Sequence, residues 1–147
     1  MMIRKWAMLW CCVLSLNGCF LAPAIDSFKK LGVTSSDREA LFPEHMKRFN
    51  EALYWGYPQE ALKYVVAESR AQVSEQLKDT GESERTVETK IRSVDFAKDS
   101  YEAKVEVDVR YFKVPVYVVN TRHEKQDWVF STSDGWKLKN REVVKAS

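Results

Sequence analysis

Lys104-Val105-Glu106-Val107-Asp108-Val109-Arg110-Tyr111 alternates charged and apolar side chains without a break. Successive side chains of an extended chain point to opposite faces. Val105, Val107, Val109 and Tyr111 therefore share one face, and Lys104, Glu106, Asp108 and Arg110 the other, the pattern of a half-buried strand. Upstream, Val87, Thr89 and Ile91 alternate with mostly charged residues, and Val94 and Phe96 continue in the opposite phase. A bulge near Arg92-Ser93 absorbs that one-residue slip and bends the strand. Downstream, a third strand reaches Trp128 and Phe130. Its start is open, because Asn120 to Asp127 is wholly polar and reads equally as a loop or an exposed edge. Asp134-Gly135 signals a hairpin, and Trp136, Leu138 and Val144 share a parity in a fourth strand.

The half of the domain before these strands is helical. Ser36 and Glu39 form a capping-box pair, in which hydroxyl and carboxylate serve the orphan amides of a first turn. Phe42, Met46, Phe49 and Leu53 then recur at steps of four, three and four and line one helix face. Pro43 lacks an amide donor, so the helix is either kinked there or restarts with Pro43 in its first turn. Gly56 ends it, and Pro58 opens a short helix through Ala61, Leu62 and Val65. A third, from about Glu68 to Lys78, stops before Gly81. Three helices followed by four strands predict an α+β fold, with N-terminal helices packed on a curved four-stranded antiparallel sheet.

The helix pair joined at Tyr54-Trp55-Gly56-Tyr57-Pro58, together with the ending Trp128 … Asp134-Gly135-Trp136-Lys137-Leu138, resembles the nuclear-transport-factor-2-like (cystatin-like, SnoaL-like) superfamily. The resemblance covers roughly Asp37 to Val144 and implies a cone of helix and curved sheet. Isomerases and cyclases of that superfamily hold a carboxylate or histidine base in the cone, opposite a tyrosine or acid donor. The same superfold also serves ligand binders and envelope-assembly modules, so it does not select a function.

The N-terminus carries an address. Arg4 and Lys5 precede an uncharged stretch from Trp6 to Leu16, which is too short to span a bilayer, and Leu16-Asn17-Gly18-Cys19 follows. The order basic, apolar, small, Cys resembles a bacterial lipoprotein signal ending in a lipobox, with Asn17 a departure from its usual small or hydroxyl residue. The resemblance implies cleavage between Gly18 and Cys19, lipid (palmitate) attachment at Cys19 and no transmembrane helix. Phe20, in place of Asp, favours outer-membrane sorting toward the periplasm. An ordinary secretory leader or an uncleaved anchor, with Cys19 incidental, is the competing reading. The chain then divides into a signal peptide over residues 1–18, lipidated Cys19 and a tether over 19–36, and a domain over 37–147. The cysteines are Cys11, Cys12 and Cys19, so the mature domain holds no disulfide.

Charge narrows the partners. The chain has 23 Lys plus Arg against 21 Asp plus Glu, and losing Arg4 and Lys5 with the leader makes the mature chain neutral. No basic stripe or phosphate-cradling glycine loop accompanies this, which argues against nucleic acid. Strand parity turns Asp95, Asp108 and Asp127 outward, away from a pocket. His45 lies off the helix stripe, and His123 lies in the polar stretch. The two histidines lack cysteine partners for zinc, so neither a metal nor a cofactor is expected, and no catalytic residue is assigned. The runs Glu82–Arg85 and His123–Lys125 read as solvated loops.

The aromatic residues carry three readings. They fill the cone as core; or Phe49, Leu53, Tyr111, Trp128 and Trp136 line an apolar pocket for a small ligand; or Tyr54, Trp55 and Tyr57 form an exposed patch for a protein partner. The combined expectation is a lipid-anchored envelope protein that binds or scaffolds, through an envelope protein partner or as a homodimer. The alternative is a small-molecule or isomerase-like pocket with Tyr111 as donor.

Overall fold

The computed structural model describes residues 29–144. Helix α1 (Ser35–Tyr54) leads through α2 (Pro58–Ala61), two 3-10 turns (Leu62–Tyr64 and Ala67–Ser69) and α3 (Arg70–Gln76) into strands β1 (Glu84–Phe96), β2 (Glu102–Lys113), β3 (Asn120–Ser131) and β4 (Gly135–Val144). The strands form one antiparallel sheet in the order β1-β2-β3-β4, each strand paired with its neighbour in sequence. Helices packed on a curved four-stranded antiparallel sheet are the architecture read from the alternation.

Helix α1 starts earlier than the capping-box reading placed it. Thr34 is the N-cap: its hydroxyl accepts from the Asp37 amide at 3.1 Å, and the Asp37 carboxylate accepts from the Thr34 amide at 3.3 Å. Ser36 lies inside the first turn, and Glu39 instead accepts a 2.5 Å hydrogen bond from the Ser100 hydroxyl. The helix runs unbroken through Pro43. It ends at a left-handed Gly56 (φ +74°), where the Gly56 and Tyr57 amides donate back to the Leu53 and Ala52 carbonyls. That pairing is a Schellman closure.

Phe42, Met46, Phe49 and Leu53 are buried against Val105, Val107 and Val109 of β2, Trp128 and Phe130 of β3, and Trp136 and Leu138 of β4. The bulge expected near Arg92 is present, and a second lies at Val87. A third bulge corrects the parity of β4. Trp128 pairs with Leu138 but Asp127 pairs with Asn140, so Lys139 is an extra residue. Beyond it, Arg141 rather than Asn140 faces the helix side, and Val144 leaves the parity of Trp136 and Leu138.

Candidate functional site

The concave side of the sheet is packed solid at its aromatic end. Phe42 meets Trp136, Phe96 and Trp128 edge-on with centroids 5.1, 5.5 and 5.6 Å apart, and Phe49 meets Trp128 in the same way at 5.6 Å. These are the favoured aromatic geometries and leave little room between rings. Phe49, Leu53, Trp128 and Trp136, read as pocket lining, do share this side and are themselves its filling. Tyr111 sits farther along the same face, its ring 4.7 Å beneath the Arg122 guanidinium.

The other end of the cone is closed by charge. Counting back from Trp128 by twos along β3 gives Gln126, Glu124 and Arg122, all on the concave side. The polar stretch left open as loop or edge is a strand from Asn120 onward. The Trp128 indole donates to Gln126 Oε1 at 3.1 Å, and Gln126 Nε2 donates to Glu124 Oε2 at 3.2 Å. Arg141 grips both Glu124 oxygens, with Nε 2.8 Å from Oε2 and Nη2 on Oε1. Arg122 Nε donates to Glu124 Oε1 at 2.6 Å, and its Nη1 reaches Glu84 at 2.5 Å. Glu124 and Arg141 are only 1% and 2% exposed. The runs Glu82–Arg85 and His123–Lys125, expected as solvated loops, each place an acid of this network in the interior. Parity with Trp128 was the signal for Glu124; the Lys139 bulge hid Arg141.

Burial alone pushes the Glu124 carboxyl up, but Arg141 and then Arg122 outweigh it and hold the group below its ordinary value. For Arg122, burial pulls down, and Glu124 and Glu84 more than compensate. A carboxylate saturated by two guanidiniums is a weak base, so this cluster orders the cone rather than abstracting protons.

The outward acids stand where parity put them. Asp108 accepts from Arg92 Nε at 2.6 Å and lies 3.0 Å from His123 Nδ1 on the convex face, with its carboxyl held low first by Arg92 and then by His123. His45 is half-buried. Its ring occupies the space a Cβ at Gly135 would take, 2.4 Å away, and burial pulls its pKa below the ordinary histidine value. Tyr54, Trp55 and Tyr57 are all exposed at the C-terminal end of α1, and the Tyr54 and Trp55 rings lie edge-on at 5.2 Å.

Clefts run along the outside. One of about 360 Å³ separates α1 from β1 and is lined by Met46, Asn50, Tyr54, Thr89 and Ile91 among others. Among the described residues, no group of three His, Cys, Asp or Glu side chains is placed to hold a metal ion, and no helix is long and apolar enough to cross a membrane. Gly18 and Cys19 lie outside the described residues.

No protein-family model and no curated protein matches the chain. Solved structures do. A candidate scytalone dehydratase from Novosphingobium aromaticivorans superposes with a TM-score of 0.59 at 16% identity, over 76% of this chain and 89% of that one. A nuclear transport factor 2-like superfamily protein from Salmonella enterica gives 0.57 at 12% identity, over 78% and 94%. A protein of unknown function with a cystatin-like fold from Nostoc punctiforme gives 0.50 at 13%, over 71% and 88%. Identity this low speaks to fold alone, and on that ground the chain has the nuclear-transport-factor-2-like, cystatin-like fold.

Proposed function

We propose that this chain is a lipid-anchored protein of the bacterial cell envelope, held at Cys19 on the periplasmic side of the outer membrane, and that it works by binding or scaffolding through its outer surface. The observation carrying the binding half is an inversion of the usual cone. The interior where the superfamily resemblance implies a pocket is filled by Trp128, Trp136 and Phe49 and closed by the Glu124–arginine network. Meanwhile Trp55 and Tyr57, side chains favoured as interface anchors, stand in solvent. The anchor half rests on the Leu16–Cys19 lipobox.

The test of the anchor is metabolic labelling with palmitate in a bacterial host. The parent chain takes up label and fractionates with outer membranes, and Cys19→Ser abolishes the label. Label retained by Cys19→Ser, or none on the parent, overturns the anchor. A small apolar ligand is the second reading. It is favoured by the cleft between α1 and β1, where Tyr54, Met46 and Ile91 offer an apolar wall outside the filled cone.

A further inference from the structure

The link between β2 and β3 is Val114-Pro115-Val116-Tyr117-Val118-Val119, six consecutive apolar residues, all of them exposed. Val116, Tyr117 and Val118 are 62, 70 and 61% exposed. β2 ends at Lys113 and β3 begins at Asn120, and Val116 to Val119 make no backbone–backbone hydrogen bond among the described residues. The run is rich in β-branched residues and has no secondary structure of its own; the Val118 carbonyl accepts from Asn120 Nδ2 at 2.9 Å, and among the described residues the amides of Val116 to Val119 have no hydrogen-bond partner. An exposed apolar segment whose amides lack partners is a template for another strand.

A chain of backbone contacts places the segment at the same end of the domain as the aromatic patch closing α1. Val114 N–H donates to the Ser83 carbonyl at 2.8 Å, Gly81 N–H donates to the Glu84 carbonyl at 2.9 Å, and a Cβ at Gly56 would lie 2.8 Å from Gly81 Cα. Trp55 and Tyr57 flank that Gly56. At about 200 Å² per aromatic side chain, Trp55, Tyr57 and Tyr117 at 68, 62 and 70% exposure present about 400 Å². Tyr54 and the valines bring the patch toward the roughly 800 Å² that one partner contributes to a standard interface. A monomer rarely turns so much apolar surface to solvent at one end.

We propose that this end of the domain is a homodimer interface, in which the Val116–Val119 segments of two copies pair antiparallel across a two-fold axis and Trp55 and Tyr57 cover the joint. Three observations favour a second copy over other occupants. The rim carries Arg85 and Lys113 with Asp79 and Glu82, and the last three residues include the Lys113–Asp79 pair at 3.7 Å. That rim sums to zero, so two copies meet without repulsion, whereas an anionic lipid surface or a strongly charged partner finds no complement. The area suits a dimer. Finally, the chain enters the domain at Lys29–Thr34, and the 20 residues of α1 put the patch about 30 Å from that end at 1.5 Å per residue. This last argument rests on the Cys19 anchor, which would turn the patch away from its own bilayer; the first two do not.

The test uses the full chain, which has no cysteine after Cys19. Val118→Cys, oxidised in the cell envelope and run without reductant, gives a band at twice the monomer mass that reductant removes. Glu142→Cys, on the convex face, and the parent chain give none. In detergent solution, Trp55→Ser with Tyr117→Ser halves the sedimenting mass of the parent. A monomeric Val118→Cys, an adduct of any other mass, equal crosslinking of Glu142→Cys, or a parent that sediments as a monomer overturns the proposal. Palmitate labelling of the parent scores the anchor separately, so either reading can fail without the other.

Discussion

Replacing Glu124 by Gln keeps the shape of the side chain and removes its charge. In the native protein both carboxylate oxygens are engaged: Arg122 Nε at 2.6 Å and Arg141 Nη2 on one, Arg141 Nε at 2.8 Å and Gln126 at 3.2 Å on the other. With Glu124 neutral, Arg141, 2% exposed, has no carboxylate within reach, and Arg122 keeps only Glu84. Breaking a buried pair from one side costs about 3–5 kcal/mol, because a desolvated charge is left uncompensated. Against a total stability of about 5–15 kcal/mol, that is a large share. Urea unfolding followed by tryptophan fluorescence should show the midpoint falling at unchanged slope. Adding Arg141→Met to Glu124→Gln should recover much of the loss, since the Arg122–Glu84 pair survives. The pH dependence has a definite sign. The folded carboxyl sits below the unfolded value of 4.5, so its stabilisation is complete above that value and fades as pH falls through the folded pKa. The gap between parent and Glu124→Gln therefore narrows below pH 4.5. A single-variant loss under about 1 kcal/mol, the scale of a solvated pair, or a double variant worse than the single, would refute the reasoning.

Arg38 donates to four backbone carbonyls, Gly32 at 2.9 Å, Val33 at 3.0 Å, Asp99 at 2.6 Å and Ser100 at 3.2 Å, and lies 4.0 Å over the Tyr101 ring. Arg38→Met should cost at least about 2 kcal/mol, since hydrogen bonds to charged groups contribute about 1.5–3 kcal/mol each. Faster amide exchange should appear at Ser100 and Gly32, and unchanged exchange there would contradict the role. Gly56→Ala meets both a left-handed φ of +74° and the backbone of Gly81 at 2.8 Å. Its thermal midpoint should fall by more than the roughly 1–2 kcal/mol of left-handed strain alone implies. Gly56→Asn, tolerated at an ordinary left-handed cap, should fare no better, because the close approach acts on any Cβ. His45 is held below the ordinary 6.5 by burial, so its contribution is complete above that value and declines as pH drops toward the folded pKa. Urea midpoints at pH 7 and pH 5 should differ less in His45→Asn than in the parent.

The β2 alternation and the α1 stripe could be read from residues alone because each lies wholly within one element and one period. The bulge near Arg92 was readable for the related reason that both flanks carry apolar markers whose phase slips by one. Lys139 has no such marker: between Leu138 and Val144 there is no apolar residue to reveal the change of phase until Val143, so the parity of β4 was carried through to the wrong residue. The start of β3 failed differently. Arg122, Glu124 and Gln126 are in phase with Trp128, yet pattern reading equates polar with solvated. It is charge pairing across strands, invisible before the strands are placed, that makes those positions interior. The Thr34 cap was missed because two competing hydroxyl–carboxylate pairs lie within three residues, and the choice between them depends on where the preceding Gly32 turn delivers the chain.

The placement of charge inside and valine outside bears on why the molecule is built this way. Well-packed apolar side chains in place of a buried ion pair are often neutral or stabilising. Stability alone therefore gives little reason to close the cone with Glu124, Arg122 and Arg141 while four valines and the rings of Tyr54, Trp55, Tyr57 and Tyr117 are exposed to solvent. Nor does the loop contribute to the core, since Val116 to Val119 are exposed. Two constraints reconcile the two features. The network is directional: its hydrogen bonds tie β3 to β1 through Arg122–Glu84 and β3 to β4 through Glu124–Arg141, and Gln76 Nε2 of α3 donates to the Arg141 carbonyl at 3.1 Å. The cone mouth is thereby held at a fixed shape by bonds with preferred angles, where apolar packing would allow sliding. Glu84 of that network pairs across the sheet with Lys113, where the Val114–Val119 segment starts. A surface that must present an extended apolar edge to a second copy, without collapsing onto its own core, needs such a rigid polar floor beneath it. The charged interior and the apolar exterior are in this view one device.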